Sequence, residues 1–233
     1  MDLEGKIKEI EVEGLSRIDH EELIDMICLQ VGDVIDREIL RTGIKRAFKK
    51  GIFLDIKVVA EPYDSGIKLK YIVKEIPIIE RINIEGNERF SNGKIKEKFI
   101  FREGEDFKED LLDEARDGLL KFYSRKGFPD VKVKISVEKN KTPGMVNISL
   151  LIEKGEPLII KSIDILPEVK SRLKISEGDF YDKDQVDEEI KRLKKYYKKQ
   201  KHIKPVIGPY EFREGELIIP IVPGPPHYLN HHS

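Results

Sequence analysis

The side chains that could bind a metal ion or act as nucleophiles are few and scattered in this sequence of 233 residues. Cys28 is the only cysteine, and its apolar neighbours in "LIDMICLQ" favour a packed position inside a helix over a nucleophile. His227, His231 and His232 could chelate a metal, but they lie in a terminal tail, where a loose chain end is the better interpretation. No serine, cysteine or lysine is flanked by a plausible base. We therefore expect no catalysis, no metal site and no cofactor.

A basic segment, "KRLKKYYKKQKHIK" at residues 191–204, could bind nucleic acid or lipid headgroups. A solvated helix end explains it better, because acidic residues cluster at the other end of the same predicted helix and the lysines lie where the helix dipole favours positive charge. The chain as a whole is also not basic: 37% of its residues are charged, and the formal net charge is −1. We expect no nucleic-acid partner.

Two stretches of the sequence are nearly the same, which indicates internal repeats. "FKKGIFLDIKV" begins at residue 48 and "YSRKGFPDVKV" at residue 123. Gly32 and Gly104 are 72 residues apart, as are Gly14 and Gly86, and Gly178 lies 74 residues beyond Gly104. A period of about 75 residues predicts three small folding units, each with a modest core.

Each repeat has the signals of a strand, two helices and two further strands. Asp19, Asp36 and Asp182 stand where they can cap helices, and we expect Gly32 to end the first helix. "PYDSG" and "NKTPG" have the residue types of turns between paired strands. The predicted order is therefore β-α-α-β-β.

This order predicts an α+β fold of three tandem units, each a three-stranded mixed sheet covered on one face by two helices. Short junctions between units indicate that neighbours touch. The last two strands of a unit form a hairpin, so the first strand must pair beside one of them and at least one strand remains at a sheet edge. We place the units at residues 6–76, 77–155 and, in divergent form, 156–224, with the start of a further unit or a tail at 225–233.

These patterns resemble tandem polypeptide-transport-associated (POTRA) domains. The resemblance lies in the order of elements, in the strand endings "VEG" and "IEGN", and in the "G-x-F-x-D-[IV]-x-V" pattern around Gly51 and Gly127, in which Phe53 and Phe128 are one step displaced from each other. It implies the periplasmic arm of a BamA-like barrel-assembly protein at the outer membrane. Its partners would be unfolded outer-membrane polypeptides and accessory assembly lipoproteins. The C-terminal β-barrel and the signal peptide of such a protein would lie outside this sequence.

The resemblance also implies a binding mode, in which a client adds a strand to an exposed sheet edge. Backbone groups on an edge bind an extended chain with little regard to its side chains, which suits clients of many sequences. We expect the third unit to be a poor acceptor because Pro205, Gly208 and Pro209 break its strand. The predicted acceptor residues are Ile56, Lys57, Val58, Val59, Val131, Lys132, Val133, Lys134, Ile135, Ser136 and Val137.

Two alternative functions stay open on sequence alone. Within the same family, the chain could be the arm of an autotransporter or two-partner secretion transporter. From another class, it could be a cytoplasmic tandem α/β nucleic-acid-binding protein. A signal peptide and a barrel in the full-length gene would separate these readings.

Overall fold

The computed structural model describes residues 5–199 and 205–222. The predictions for residues 225–233, including the three terminal histidines, therefore lie outside the described residues. No helix in the described ranges combines the length and apolar character needed to cross a bilayer.

The first two repeats follow the predicted order, and the third has four short strands after its second helix where two were predicted. The first repeat contains β1 (Ile7–Glu13), α1 (His20–Ile27), α2 (Arg37–Phe48), β2 (Phe53–Tyr63) and β3 (Gly66–Glu75). The second contains β4 (Ile78–Glu85), α3 (Asn92–Lys98), a 3₁₀ turn (Glu109–Leu111), α4 (Leu112–Arg125), β5 (Lys132–Lys139) and β6 (Met145–Glu153). The third contains β7 (Ser162–Asp164), α5 (Pro167–Lys170), α6 (Lys183–Lys199), β8 (Val206–Ile207), β9 (Glu211–Arg213), β10 (Glu216–Ile218) and β11 (Ile221–Val222).

The sheets confirm the predicted α+β fold class. Three sheets have three strands each, in the orders β1-β3-β2, β4-β6-β5 and β7-β10-β9, and β8 pairs with β11. In the first sheet β3 is parallel to β1 and antiparallel to β2, and in the third β10 is parallel to β7 and antiparallel to β9. Each of these two sheets is therefore mixed, because a hairpin is joined by the first strand of its repeat.

The described residues divide into two compact bodies. Among these residues, the first body contains 5–83, 101–112 and 135–150, and the second contains 84–100, 113–134 and the described residues from Leu151 onwards. Residues of the second repeat contribute to both bodies, so the division into three units with the boundaries given above stays a prediction.

Apolar residues from strands and helices form the interiors of the first and third repeats. In the first, the strand residues Ile7, Leu69 and Tyr71 share a buried cluster with the helix residues Leu23 and Ala47. In the third, the corresponding cluster combines strand residues with the stripe of α6, including Ile163, Leu217, Val186, Ile190 and Leu193.

Aspartate caps begin three helices as predicted. The Asp19 carboxylate accepts from the Glu22 amide at 2.8 Å, and the Asp36 carboxylate accepts from the amides of the first turn of α2. Asp182 caps α6 in the same way. A carboxylate at this position satisfies amides that have no partner within the helix.

The end of α1 differs from the prediction. The helix ends at Ile27, and Cys28 is the exposed C-cap with φ of 57°, not a packed residue inside the helix. Gly32 lies beyond the helix in a turn with φ of 103°. Left-handed backbone closes the helix one residue after its apolar stripe, a position that glycine usually fills.

Gly32 and its counterparts instead form hydrogen bonds with a residue at or near the start of the first strand of each repeat. The amides of Gly32, Gly104 and Gly178 donate to the carbonyls of Ile7, Ile79 and Ile160 at 2.7 to 2.8 Å. The amide of each of these isoleucines donates to the carbonyl of the residue after the glycine, at 2.8 to 2.9 Å. The φ angles of the three glycines are 103°, 86° and 93°, which explains why the repeat keeps glycine here.

Candidate functional site

The predicted acceptor strand of the first repeat lies at the edge of its sheet. β2 has β3 on one side and, in the described part of the chain, no strand on the other. Ile56, Lys57, Val58 and Val59 all lie within β2. The structure therefore places this part of the predicted site at an edge.

The backbone of β2 alternates between its neighbour and the open side. The Ile67 amide donates to the Lys6 carbonyl, so odd-numbered residues of β3 face β1 and even-numbered ones face β2. Lys57 is paired with Ile72 in this register, so it faces β3. It follows that Ile56 and Val58, with Ala60, direct their N–H and C=O groups outward.

Pro62 limits the length of this open edge. β2 continues through Pro62 and Tyr63, so the turn is shorter than the predicted "PYDSG" and consists of Asp64 and Ser65. Pro62 shares the outward parity of Ala60 and has no N–H to offer. A bound strand can thus use the three preceding outward residues, Ile56, Val58 and Ala60.

The predicted acceptor strand of the second repeat is also at an edge. β5 is the outer strand of the order β4-β6-β5 and contains the predicted residues from Lys132 to Val137, whereas Val131 lies just before it. The Asn140 amide donates to the Met145 carbonyl at 2.9 Å, so even-numbered residues at this end face β6. By alternation, Ile135 and Val137 direct their backbone groups outward.

The third repeat offers a shorter edge. Its outer strand β9 has three residues, and the preceding β8 pairs with β11 in a separate two-stranded sheet. The strand is interrupted between β8 and β9 at Gly208 and Pro209. This arrangement follows the predicted break, and the weak acceptor role of this repeat stays a prediction.

A row of ion pairs covers the exposed face of the first sheet. Lys68 on β3 lies 2.7 Å from Glu9 and 2.6 Å from Glu11 on β1, and Lys70 lies 2.5 Å from Glu13. Hydrogen bonds to Glu11 and Glu9 raise the pKa of Lys68. The same hydrogen bonds from Lys68 lower the pKa of Glu9 and of Glu11. This face carries charge of both signs, which discourages unspecific association of the sheet.

A shallow groove with apolar walls lies where β2 begins. Leu54, Pro77 and Phe107 contribute its apolar lining, and Lys74 and Lys108 are among its charged residues. The Leu54 side chain is 51% exposed. An apolar side chain of a strand bound beside β2 could enter this groove.

The repeats differ in whether a side chain accepts a hydrogen bond from the outer edge of the first strand. A Glu103 carboxylate oxygen accepts from the Ile82 amide at 2.8 Å, and a Glu177 carboxylate oxygen accepts from the Ile163 amide at 3.3 Å. The equivalent position in the first repeat is Val31, whose side chain cannot accept a hydrogen bond. Sequence analysis missed these residues, although each is the one before the repeated glycine.

Polar contacts tie the first repeat to the start of the second. Glu75 is only 7% exposed, and one of its oxygens accepts from the Ser16 amide, the Ser16 hydroxyl and the Arg17 amide at 2.6 to 2.8 Å. Arg17 Nη1 then donates to the Ile76 carbonyl at 3.0 Å and to Asp106 at 2.9 Å. The short junction is therefore held by side chains from both repeats.

A second set of contacts joins the end of α4 to the start of α6. Lys126 Nζ lies 3.0 Å from Asp182 and 2.8 Å from Asp184. The Leu158 amide donates to the Gly127 carbonyl at 2.8 Å. Within the described part of the chain, no three His, Cys, Asp or Glu side chains are grouped closely enough to hold a metal ion.

The POTRA family model, described as surface antigen variable number repeat, matches residues 5–76 and 77–155. The chain belongs to the POTRA family. The POTRA assignment made from the strand endings and repeat spacing is thus confirmed.

Curated relatives extend this assignment. The chain is 28% identical over 178 residues to the outer membrane protein assembly factor BamA of Nitratidesulfovibrio vulgaris, and the match covers 73% of this chain and 22% of the relative. It is 28% identical over 165 residues to BamA of Buchnera aphidicola, with 69% of this chain and 26% of the relative covered. The chain thus spans about a quarter or less of the length of these relatives.

A solved structure covers nearly the whole chain. The N-terminal domain of Omp85 from the thermophilic cyanobacterium Thermosynechococcus elongatus is 17% identical in sequence, with a TM-score of 0.43. The match covers 95% of this chain and 98% of that domain.

Proposed function

We propose that this chain is the periplasmic arm of an outer-membrane β-barrel assembly protein and that it binds extended, unfolded outer-membrane polypeptides along β2 and β5. The same arm would contact accessory subunits of the assembly machinery. It acts by binding and scaffolding at the periplasmic face of the outer membrane.

One observation carries the binding mode. The strands predicted from sequence to accept a client, β2 and β5, are both outer strands of their sheets. Ile56, Val58, Ile135 and Val137 have the outward backbone parity described above, so an extended chain can form a regular ladder with each strand. Main-chain hydrogen bonds would supply affinity without requiring one client sequence.

Two further observations support the biological setting. The chain belongs to the POTRA family, and its relatives are outer membrane protein assembly factors. The β5 edge also alternates exposed lysines with more buried valine and isoleucine, as in Lys132, Val133, Lys134 and Ile135. Exposed lysines on an edge strand limit self-association while leaving the backbone available to a client.

Proline substitutions at outward positions test the binding mode. Val58→Pro and Val137→Pro each remove one outward N–H and leave the hydrogen bonds to β3 and β6 in place. We expect a synthetic peptide of alternating valine and threonine to bind each altered edge about tenfold more weakly or worse, since one hydrogen bond is lost and the proline ring obstructs the approach. Amide chemical-shift titration of the ¹⁵N-labelled chain measures affinity at each edge separately.

Val58→Ala and Val137→Ala are the matched controls, because they shorten the same side chains and keep the amides. These variants should bind within about threefold of the unaltered chain. Equal affinity in the proline and alanine variants would contradict strand addition at these edges. Peptide-induced shifts confined to the helices would contradict it as well.

A further inference from the structure

The residue before the repeated glycine differs in kind between the repeats. Glu103 and Glu177 each place a carboxylate oxygen on an outward amide of the first strand, at Ile82 and Ile163. Val31 occupies this position in the first repeat, and its side chain is 62% exposed. The side-chain acceptor that closes β4 and β7 is therefore missing beside β1.

The amide that lacks this acceptor is that of Ile10. Ile82 and Ile163 each lie three residues after the isoleucine that pairs with the glycine turn, and Ile10 lies three residues after Ile7. The pairing register of β1 with β3 shifts between Ile7 and Glu9. Because of this irregularity, the next residue after Ile7 whose backbone N–H and C=O point away from β3 is Ile10. Val12 then has the same outward parity as Ile10.

The surroundings of Ile10 also differ from those of its counterparts. Ile82 and Ile163 are 4% and 6% exposed, whereas Ile10 is only partly buried. Val34, the residue bridged to the start of β1, is 62% exposed like Val31. In the described residues, β1 pairs with β3 on one side. On its other side, the Gly32 turn contacts only the beginning of the strand, at Ile7.

We infer that the outer edge of β1, at Ile10 and Val12, is an additional binding edge, which in the described residues lacks the carboxylate acceptor present beside β4 and β7. Its ligand is an extended polypeptide segment with apolar residues on one face and lysine or arginine on the other. This inference shares its ligand class with the proposed function, but it concerns a different edge and requires binding at neither β2 nor β5.

Charge complementarity decides the chemistry of this ligand. β1 presents Glu9, Glu11 and Glu13 along the exposed face of the sheet, where Lys68 and Lys70 already approach them from β3. A strand added on the outer side of β1 would place its own side chains about 5 Å from these glutamates on the same face. Cationic residues are favoured there, and the exposed valines favour apolar residues on the opposite face.

Installing the missing carboxylate tests the inference. The variant Val31→Glu gives the first repeat the residue that the other two repeats have, and the probe is a synthetic peptide of alternating valine and lysine. In the unaltered chain we expect this peptide to shift the Ile10 and Val12 amides. In Val31→Glu the affinity read at these amides should fall about tenfold or more, because the new carboxylate occupies the Ile10 amide.

The sign of this change separates edge closure from simple electrostatics. An added negative charge would strengthen the binding of a lysine-rich peptide if charge alone mattered. Val31→Thr is the matched control, since it keeps the shape of valine with a hydroxyl too short to reach as glutamate does. We expect Val31→Thr to bind like the unaltered chain.

The reverse substitution provides a second, independent test. Glu103→Val should open the equivalent edge of β4, so the Ile82 amide should shift on addition of the same peptide. Glu103→Gln keeps an acceptor oxygen at this position and should remain unresponsive at Ile82.

Three results would overturn the inference. The first is an unaltered chain in which saturating peptide leaves Ile10 and Val12 unmoved, and the second is equal affinity in Val31→Glu. The third is a concentration-dependent shift of Ile10 without peptide, which would assign the edge to a second copy of the chain. The Ile56 and Val58 amides in the same spectra report on the proposed function, so failure of one edge is distinguished from failure of the other.

Discussion

At the scale of single residues, two buried tyrosines differ in whether the hydroxyl has a partner. Tyr71 and Tyr123 are both fully buried, and burial raises the pKa of each to about 12. The Tyr123 hydroxyl donates to Asn87 Oδ1 at 2.7 Å, whereas the Tyr71 hydroxyl has no hydrogen-bond partner among the described residues. A buried polar group without a partner opposes folding, and a paired one contributes to it.

The two Tyr→Phe substitutions should therefore have different effects. We expect Tyr71→Phe to leave the free energy of unfolding unchanged or to raise it by up to about 1 kcal/mol, and Tyr123→Phe to lower it by about 1 kcal/mol. Urea unfolding, followed at amide resonances of the altered repeat, measures both changes. An equal loss in the two variants would contradict the assignment of an unpaired hydroxyl at Tyr71.

Sequence reasoning succeeds for residues whose structural role depends on near neighbours. Asp19, Asp36 and Asp182 cap helices through amides two or three residues ahead, so their spacing alone predicts the contact. Cys28 and Gly32 were wrongly interpreted, because the role of Gly32 is a hydrogen bond to Ile7, far away in sequence. No local pattern contains that information.

At the scale of elements, the sheet edges could be predicted because the connection rules leave few alternatives. A terminal hairpin joined by one further strand must leave two outer strands, and β2 and β5 are among them. The closure of a first-strand edge by Glu103 or Glu177 could not be predicted in this way. Each carboxylate acts across a turn whose geometry depends on the folded sheet.

The ion-pair row on the first sheet predicts a pH dependence. The Lys68 hydrogen bonds lower the pKa of Glu9 and Glu11 from the ordinary value of 4.5. A carboxylate with a lowered pKa in the folded state contributes stability above its unfolded pKa, and this contribution is lost as the pH falls through the folded value. Lys68→Met should therefore reduce the fall in Tm on acidification from about pH 7 to about pH 3.

Salt and a control lysine make this prediction specific. These side chains are exposed, so the effect is small and should decrease further at high ionic strength. Lys57→Met removes one positive charge from β2 and serves as the control. The same acid dependence in Lys68→Met and Lys57→Met would contradict the assignment to the Glu9–Lys68–Glu11 cluster.

At the scale of the whole molecule, the two junctions contain equivalent backbone hydrogen bonds. The Phe107 amide donates to the Pro77 carbonyl at 2.7 Å, and the Tyr181 amide donates to the Leu158 carbonyl at 2.8 Å. Pro77 and Leu158 are linker residues, so each linker is fixed by the repeat that follows it. The side chains around this contact differ, which the sequence repeat alone did not indicate.

The Arg17 contact should limit motion at the first junction. Arg17→Met removes the donors to Ile76 and Asp106, and we expect faster or wider motion between the first repeat and the start of the second. ¹⁵N relaxation of amides on either side of the junction measures it, and Arg17→Lys, which keeps the charge and one donor group, is the control. Unchanged relaxation in Arg17→Met would show that the linker hydrogen bonds hold this junction alone.

Hydrogen exchange at the β2 edge tests the central claim most directly, because it reports on the backbone groups that would bind a client. Without peptide, the outward amides of Ile56 and Val58 should exchange faster than those of Lys57 and Val59, which face β3. Saturation with the valine–threonine peptide should slow exchange at Ile56 and Val58 and remove this alternation. Binding that leaves the alternation unchanged would contradict strand addition at β2.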